Sequence, residues 1–388
     1  MRRLYLDHNA TTPMGVAARE AFINALADWG NPSSVHTLGR RARNVVETAR
    51  RQVAGLLGCD TDELVFVSGG TEGDNLAIRG LALAARAQRP PSDKPPHVIS
   101  TRLEHPAVRG ALNELVREGF ELTDLPVSAE GMVNPETLAA ALRPETVLVS
   151  VALANHEVGA LAPVAALAAR AHAAGAWFHT DAVQAAGRIP VRLRDLGVDA
   201  ATVSSHKLHG PKGVGAVFVR RGLVPHPLVT GGHQEYERRG GTENTPALAG
   251  FGAACAEAEV RLEADAAQTA ALRDRLEGQL LAIPGARRHG PAADRRVPGT
   301  LNVGFGGARG ELVVIGLDLE GVCASTGAAC TSGSVEPSAV LLAMGLTVKE
   351  AREAVRFSLG RETTLTEVDE AAALVARVVE RVRAAADK

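Results

Sequence analysis

Short apolar runs alternate with segments of helical periodicity through residues 41–219, and this alternation constrains the fold more than any other feature. The four apolar residues 64–67 are typical of a buried parallel strand, and the apolar positions of 41–57 recur at helical spacing before a stop at Gly58. The unit then recurs as strands and helices predicted over 98–100, 107–118, 121–125, 135–142, 147–153, 164–174, 177–179, 200–203 and 215–219. Strands that alternate with helices predict an α/β fold with a mostly parallel, doubly wound sheet.

The alternation of strands and helices ends near residue 255. A long stretch rich in Ala, Glu, Arg and Leu, 254–281, predicts a connecting helix, and the mixed short elements beyond it indicate a second, smaller α/β domain. These elements are predicted over 300–305, 311–319, 355–358 and 365–386. A chain of 388 residues suits two domains, which we place at 15–257 and 258–388, with the N-terminal segment 1–14 joining them.

Composition and charge argue against several classes of function. Aromatic residues make up 3% of the chain and the net charge is −2, which disfavours a nucleic-acid surface or an attraction to anionic membranes. No apolar run approaches the ~20 residues of a transmembrane helix, and the N-terminal stretch turns polar after Leu6, unlike a signal peptide. We therefore expect a cytoplasmic protein. The four cysteines form no Cys-x-x-Cys pair, so an important cysteine should act alone, as a thiolate.

Ligands bind beyond the carboxyl ends of the strands in a doubly wound sheet, so the residues after each apolar run are the candidates for chemistry. After the first run, residues 68–72 combine small side chains with a helix start, which fits a phosphate cradle and equally fits a tight turn. After the second run, His105 precedes a proline and a helix. Such a histidine can present a flat ring to a cleft, although a capping or surface histidine is the commoner case.

The next two strand ends carry Asn-His-Glu over 155–157 and His-Thr-Asp over 179–181, with Gln184 one turn later. His179 and Asp181 could belong to a metal site, but no third ligand is close in sequence, which favours a non-metal aspartate. An aspartate at a strand end can instead pair with a protonated ring nitrogen. The pyridinium of pyridoxal phosphate (PLP) requires such a partner.

The fifth strand end gives Ser-Ser-His-Lys over 204–207. A lysine at a buried strand end is costly as a free cation but natural as an amine linked to a carbonyl, which makes Lys207 a candidate Schiff-base residue. Lys212 is also a lysine in this segment and is therefore a second candidate for the Schiff-base role. Its place between Pro211 and Gly213 suits an exposed turn.

Three later segments also stand out. Residues 238–244 are Gly-rich and cationic, a pattern that an ordinary loop shares. Cys330 has small polar neighbours, so we expect it on an exposed, mobile loop, where a thiol invites oxidation unless the function needs it. Arg356 lies on a predicted strand, where it can grip a substrate carboxylate or, equally, form a structural salt bridge.

Together these signals resemble one family closely: the class V, fold-type I PLP enzymes, and within it the NifS/IscS-like cysteine desulfurases. The matching stretches run in family order from one end of the chain to the other. They are 5–7 with 10–13, 30–34, 68–75, 104–105, 155–159, 179–184, 204–213, 240–242, 325–338 and 356–361. The resemblance implies PLP fold type I, with a large cofactor-binding domain and a smaller C-terminal one.

The resemblance also implies a role for each matching position. Lys207 would hold the cofactor as a Schiff base, His105 would stack on its ring, and Cys330 would accept sulfur. Asp181 would contact the ring nitrogen and Gln184 the phenolic oxygen, while Asn155 and His156 would lie beside the ring. The phosphate would be bound by Gly70, Thr71, Ser204 and His206. Thr242 would contact the phosphate of the other subunit of a homodimer. Arg356 would clamp the substrate carboxylate, and Asn155 is a second candidate for substrate contact.

The chain departs from the family pattern in three places. His156 stands where a second Asn is usual, so it would alter the absorption of the cofactor or act as a tolerated substitute. Ser205 stands where Gly is common. The chain ends at Lys388, without the longer tail that some members use to dock an iron–sulfur scaffold, which puts the partner rather than the chemistry in question.

The implied activity is PLP-dependent removal of sulfur from L-cysteine, with Lys207 or His105 as the base that takes the Cα proton. The products would be L-alanine and a persulfide on Cys330, passed to an iron–sulfur scaffold or a tRNA-thiolation protein. No resident metal is expected, although Cys330 could share a transient iron–sulfur cluster with a scaffold. The alternatives are a selenocysteine lyase and a PLP-free sulfur-transfer scaffold. The intact set of Asp181, His206 and Lys207 argues against the scaffold.

Overall fold

The computed structural model describes residues 3–89, 93–327 and 336–386. Its strands are β1 Leu4–Tyr5, β2 Leu64–Val67, β3 His97–Thr101, β4 Glu121–Leu125, β5 Thr146–Ser150, β6 Trp177–Asp181, β7 Ala200–Ser204, β8 Gly215–Val219, β9 Ala286–His289, β10 Thr300–Phe305, β11 Val322–Cys323 and β12 Ala354–Ser358. Its α-helices are α1 Val16–Ala25, α2 Thr37–Leu57, α3 Gly70–Gln88, α4 Pro106–Arg117, α5 Pro135–Ala141, α6 Val164–Ala173, α7 Leu193–Leu196, α8 Thr245–Leu281, α9 Gly310–Leu319, α10 Ala339–Ala343, α11 Val348–Arg352 and α12 Leu365–Ala386.

Seven strands form the large sheet, in the order β2-β8-β7-β6-β5-β3-β4. The strands from β7 to β4 in that order pair in parallel, whereas β8 runs antiparallel to both β7 and β2. The predicted mostly parallel, doubly wound α/β sheet is therefore confirmed. Residues 64–67 are buried along their whole length, as expected. Because β8 is antiparallel to both β2 and β7, β2 runs in the same direction as the parallel strands, but the parallel pairing expected of it is wrong. That strand, β2, lies at the edge of the sheet, and its one neighbour, β8, runs in the opposite direction.

Helices cover both faces of this sheet. On one face α3 and α4 bury Leu76, Leu112 and their apolar neighbours against the strands. On the other face α2, α6 and α8 do the same with side chains such as Val53 and Phe251. Helix α2 ends at Gly58, the predicted stop, which adopts the left-handed conformation (φ 62°) that favours glycine. Burial on both faces explains why the central strands read as continuous apolar runs.

The C-terminal part has its own antiparallel sheet, β12-β10-β9, whose core includes residues of α9, α12 and the end of α8. The N-terminal strand β1 pairs with β11, and Leu4 and Leu6 lie in the same core. Thr12 in turn hydrogen-bonds the carbonyl of His206, next to the large sheet. Helix α8 runs through residues 257 and 258 without a break, so the division into domains at that point stays a prediction. In the described ranges, no helix is long and apolar enough to cross a membrane.

Candidate active site

The carboxyl ends of the parallel strands open on a cavity of about 190 Å³. Its wall contains every predicted cofactor-binding residue except Asn155 and Thr242. The lining residues are Gly70, Thr71, Asp74, His105, Ala152, Ala154, His156, Asp181, Val183, Gln184, Ser204, His206 and Lys207. Side chains from five separate strand ends therefore meet in one place, as expected of a doubly wound sheet.

One end of the cavity is formed by the start of α3. The helix begins at Gly70, so its first backbone N–H groups and the positive end of its dipole lie beside the cavity. A Cβ atom at Gly70 would come within 3.2 Å of Val183 Cγ2, so a larger residue would crowd this end. The hydroxyl of Ser204 is buried there, and among the described residues it has no hydrogen-bond partner. An orphaned hydroxyl beside a helix N-terminus is suited to bind an anion such as a phosphate.

Asp181, the last residue of β6, also lines the cavity. Its Oδ1 accepts a hydrogen bond of 2.8 Å from the backbone N–H of Val183. Burial raises the pKa of Asp181 to about 6, and the Val183 N–H and the Lys207 charge only partly oppose this rise. A buried carboxylate of this kind gains stability from a cationic partner, because its solvation by water has been lost.

His105 and His156 lie edge to face in the cavity wall, with ring centroids 5.4 Å apart and an interplanar angle of 78°. Nδ1 of His105 accepts a hydrogen bond of 3.1 Å from the backbone N–H of Ala107, which fixes this ring as the N-cap of α4. Loss of water around the imidazolium form, with a contribution from Lys207, lowers the pKa of His105 to about 4. Desolvation, followed by the effects of His105 and Arg356, lowers the pKa of His156 well below its usual range. Both rings are therefore neutral at neutral pH.

Lys207 follows β7 at the end of a short 3₁₀ turn. Its Nζ donates hydrogen bonds to the backbone carbonyls of Asn9 and Ala10, the latter at 2.8 Å. Burial lowers the pKa of Lys207 to about 8, helped by the positive charges of Arg188 and Arg356 and opposed by nearby carboxylates. A substantial fraction of this amine is thus unprotonated, and nucleophilic, near neutral pH. The competing Lys212 is exposed and does not line the cavity.

Sequence reasoning missed a group of residues around Lys207. Arg188 donates to the carbonyl of His8 (2.8 Å), to Gln184 Oε1 (2.9 Å) and to Asn9 Oδ1. Gln184 Nε2 donates one of its two N–H groups to the carbonyl of Asn9 at 3.0 Å. The position of Arg188, four residues after Gln184, was the only signal available in the sequence.

A second carboxyl group, that of Asp74, was also missed. It lines the cavity and is buried, and burial together with the neighbouring Asp181 raises its pKa well above the usual range. This favours a protonated Asp74 beside an ionisable Asp181, because two buried carboxylates repel each other. The pattern Thr-Glu-Gly-Asp at the start of a helix did not distinguish this aspartate from an exposed one.

Arg356 and Asn155 were predicted to bind the substrate. Arg356 is buried on β12, where it donates to the carbonyl of His156 (3.0 Å) and to Asp7 Oδ1 (2.8 Å), while its Nε has no partner among the described residues. Asn155 instead points into its own turn. Its Nδ2 donates to the carbonyl of Leu103, and its Oδ1 accepts from two backbone N–H groups, all at 2.9 Å. The structure thus gives Asn155 a part in shaping the turn that presents His156.

Thr242 and His179 lie outside the cavity wall, whereas Asp181, the other member of the alternative metal pair, lines it. Thr242 is exposed and lines a neighbouring pocket with Ser68. Cys330 lies outside the described residues. His179 hydrogen-bonds Ser150 and Thr202 inside the sheet rather than facing a ligand. In the part of the chain that the structure describes, no three His, Cys, Asp or Glu side chains are grouped as a metal site.

The three cysteines that the structure describes are poorly suited to the sulfur-acceptor role expected of Cys330. Cys255 is buried, and burial raises its pKa well above the usual range. Burial likewise raises the pKa of Cys59 to about 12. Cys323 is partly buried in β11 and does not line the cavity. Raised pKa values make Cys59 and Cys255 poor nucleophiles at neutral pH, because the thiolate is the reactive form.

Known proteins resemble the chain over nearly its whole length. The family model described as "Aminotransferase class-V" matches residues 4–371. The cysteine desulfurase of Trichormus azollae is 45% identical over 99% of this chain and 94% of its own, and the cysteine desulfurase IscS of Dictyoglomus turgidum is 41% identical over 98% and 96%. Among solved structures, a NifS-like protein superimposes with a TM-score of 0.90 at 34% identity, covering 98% of this chain and 100% of that one. A NifS-like protein from Rickettsia africae gives a TM-score of 0.85 at 30% identity, with the same coverage.

Proposed function

Because the chain belongs to the aminotransferase class-V family, and its similarity to cysteine desulfurases spans almost every residue, we propose that it is a PLP-dependent cysteine desulfurase. In this proposal L-cysteine yields L-alanine and a persulfide on Cys330. One structural observation carries the assignment. A single cavity brings together a lysine with a lowered pKa, a buried aspartate, a neutral histidine ring and a helix N-terminus beside a buried hydroxyl that has no partner within the described ranges.

The residues present fit PLP. The N-terminus of α3, with Gly70, Thr71, Ser204 and His206, would bind its phosphate, and Lys207 would hold its carbonyl carbon. Further contacts would come from Asp181 to the ring nitrogen, from Gln184 to the phenolic oxygen, and from the rings of His105 and His156. When bound, PLP supplies an electron sink for the carbanion formed at the substrate Cα.

Proton movement at the substrate Cα is assigned to Lys207. A base works best when its pKa lies near the working pH, and the pKa of Lys207 is about 8 whereas that of His105 is about 4. Both were candidates on sequence alone, and the difference in pKa favours Lys207. His105 then serves as a neutral, flat surface against which a ring can stack.

Arg356 would bind the carboxylate of L-cysteine. It is held in place by the carbonyl of His156 and by Asp7, and its Nε is buried without a partner among the described residues. A substrate carboxylate would supply the missing acceptor and would compete with Asp7 for the guanidinium. Asn155 would act on the substrate indirectly, through the turn that carries His156.

Sulfur transfer is assigned to Cys330. Its thiolate would attack the substrate sulfur, so that an S–S bond forms as the Cβ–S bond breaks. The electron pair of the broken bond stays with the former Cβ, which takes up a proton and becomes the methyl group of alanine. The persulfide would then pass to an acceptor in the cytoplasm, either an iron–sulfur scaffold, with which Cys330 could share a cluster in transit, or a tRNA-thiolation protein.

The test of this activity is turnover by the purified protein supplied with PLP. With L-cysteine and a thiol reductant, we expect equal amounts of alanine and sulfide. Selenocysteine in a parallel reaction distinguishes the alternative enzyme, since turnover of selenocysteine without turnover of cysteine would make the protein a selenocysteine lyase. A protein that neither takes up PLP nor consumes either amino acid would be a sulfur-transfer scaffold, and the proposal would fail.

The active form is proposed to be a homodimer in which Thr242 contacts the phosphate of the partner's cofactor. The exposure of Thr242 and its place outside the cavity of its own chain support this arrangement. We expect Thr242→Val to lose PLP faster than the wild type while its sedimentation coefficient stays that of a dimer. A monomer that keeps full activity at high dilution would contradict the proposal.

A further inference from the structure

The loop 229–244, which carries Thr242, contains three successive residues in an unfavourable conformation. Glu235, Tyr236 and Glu237 have φ angles of 46°, 58° and 65°, in the left-handed region that L-residues other than Asn and Asp rarely adopt. None of the three is a glycine, so local sequence does not favour this path. Contacts with the rest of the protein must therefore hold the loop in place.

A buried ion pair fixes the loop to β2. Glu235 accepts hydrogen bonds from both terminal nitrogens of Arg50, at 2.6 and 2.9 Å, and from the backbone N–H of Phe66 at 2.8 Å. Arg50 also donates to the carbonyl of Leu64 and lies 4.5 Å above the centre of the Phe66 ring. Both side chains are almost fully buried, at 1% and 2% exposure, so the pair is shielded from solvent.

A second ion pair joins the loop to the turn at the phosphate end of the cavity. Arg239 Nε donates to Glu72 Oε1 at 2.8 Å, and Arg239 Nη2 donates to Glu72 Oε2 at 3.3 Å. Glu72 Oε2 also accepts the backbone N–H of Ser68 at 2.8 Å. Burial opposes ionisation of Glu72, but these donors prevail and hold its pKa below the usual range. One carboxylate thus closes the turn before α3 and binds the loop that leads to Thr242.

We propose that the Glu72–Arg239 pair is a positioning device for the phosphate end of the cofactor site. It couples the turn 68–70, which precedes the anion-binding N-terminus of α3, to the loop that presents Thr242. The Arg50–Glu235 pair anchors the same loop from its other side. This inference rests on the proposed function, because it assumes that the cavity binds PLP through its phosphate.

The effect of removing the Glu72 charge distinguishes two roles for Arg239, namely positioning of the turn 68–70 and direct binding of the phosphate. Arg239 lies close enough to the turn to be mistaken for a phosphate ligand, yet two of its nitrogens already bond Glu72. If Arg239 bound the phosphate itself, Glu72 would compete with the ligand, and loss of its charge would strengthen PLP binding. If the pair positions the turn, loss of either partner weakens binding, because the geometry of the donors is relaxed in both cases.

The test compares PLP with pyridoxal, which lacks the phosphate, on Glu72→Gln, Arg239→Gln and the double variant in the full-length protein. The dissociation constant of each ligand is measured by titration of the apoprotein. Each single variant is expected to bind PLP roughly tenfold to a hundredfold more weakly, as for the loss of one charge-assisted hydrogen-bond pair, with pyridoxal unchanged. The double variant is expected to be no weaker than the single ones, since they remove the same interaction.

Arg79→Gln provides a matched control on α3, the helix that also carries Glu72. Arg79 pairs with Glu118 at 2.9 Å and has an exposure of 27%, close to the 24% of Arg239, but it does not approach the cavity. This variant should bind both ligands like the wild type. Glu72→Gln keeps an oxygen that can accept the Ser68 N–H, so it should fold, and a thermal melt of each apoprotein checks this.

Three results would overturn the inference. Tighter PLP binding by Glu72→Gln would make Arg239 a direct phosphate ligand. Equal losses for PLP and pyridoxal would indicate a general structural role, and unchanged PLP binding in both single variants would leave the pair without effect on the site. Failure of the proposed function is distinguishable from all three, because it appears in the wild-type protein, which would then either not bind PLP or bind it without turning over L-cysteine.

Discussion

Cys330→Ser is expected to lose the turnover of L-cysteine by about three orders of magnitude or more, the scale seen when an enzyme loses its nucleophile. A serine hydroxyl is not ionised at neutral pH and cannot take sulfur from a thiol substrate, so no persulfide can form. None of the cysteines that the structure describes lines the cavity that contains Lys207 and Asp181, and the proposal gives Cys330 no part in holding the cofactor. The variant should therefore keep the yellow colour of lysine-bound PLP and still bind cysteine, which spectra and an alanine assay together will establish.

The other cysteines supply the controls for this prediction. Cys59→Ser, Cys255→Ser and Cys323→Ser should change stability at most, because the first two thiols are buried with raised pKa values and the third does not line the cavity. Near-normal desulfuration by Cys330→Ser would contradict the assigned role. It would point instead to direct elimination of sulfur from the substrate, as in a lyase.

Lys207→Ala is expected to lose the covalent linkage to PLP, its visible absorption band and, by about three orders of magnitude or more, its activity. The variant removes both the amine that holds the cofactor and the base assigned to the substrate Cα. Borohydride reduction of the wild type followed by peptide mapping should place the cofactor on Lys207. The absorbance of Lys207→Ala after incubation with PLP gives the complementary measurement.

Lys212→Ala is the matched control, since Lys212 is five residues away but exposed and outside the cavity. It should retain the absorption band and most of the activity. A Lys207→Ala protein that still carried PLP on a reducible lysine would reverse the assignment and place the cofactor on Lys212.

Much of the site was predictable from sequence because of the geometry of parallel sheets. Each candidate at the end of an apolar run was picked out from its own segment, and its role followed from the family resemblance; in the structure His105, Asp181 and Lys207 all line one cavity. The carboxyl ends of adjacent parallel strands lie at the same edge of the sheet, so residues far apart in sequence converge there. The strand order was not needed to predict this convergence.

Contacts between distant segments account for what sequence reasoning missed. Arg188 reaches the site through His8 and Asn9, which enter from the N-terminal segment, and no local pattern marks that meeting. Arg50 and Glu235 are likewise brought together only by the fold. The contact of Asn155 with cofactor and substrate stays a prediction, and in the structure its Oδ1 accepts hydrogen bonds from two backbone N–H groups of its own turn.

The antiparallel edge of the large sheet illustrates a further limit. A buried strand reads as the same apolar run whichever way its neighbour runs, so residues 64–67 could not reveal that their pairing is antiparallel. That pairing depends on β8, which follows the short turn after Lys207 and pairs with both β7 and β2. The direction in which two strands pair therefore depends on the connection between them and cannot be read from the strand sequences alone.

The central claim is that sulfur from cysteine becomes covalently attached to Cys330, and mass mapping of that attachment tests it most directly. Wild-type protein loaded with PLP is incubated with isotopically labelled L-cysteine without reductant, alkylated and digested. The account predicts one added, labelled sulfur atom on the peptide that contains Cys330, with alanine formed in equal amount and the Cys59, Cys255 and Cys323 peptides unchanged. Labelled sulfide released at the full rate from protein whose Cys330 never carries the label would contradict it.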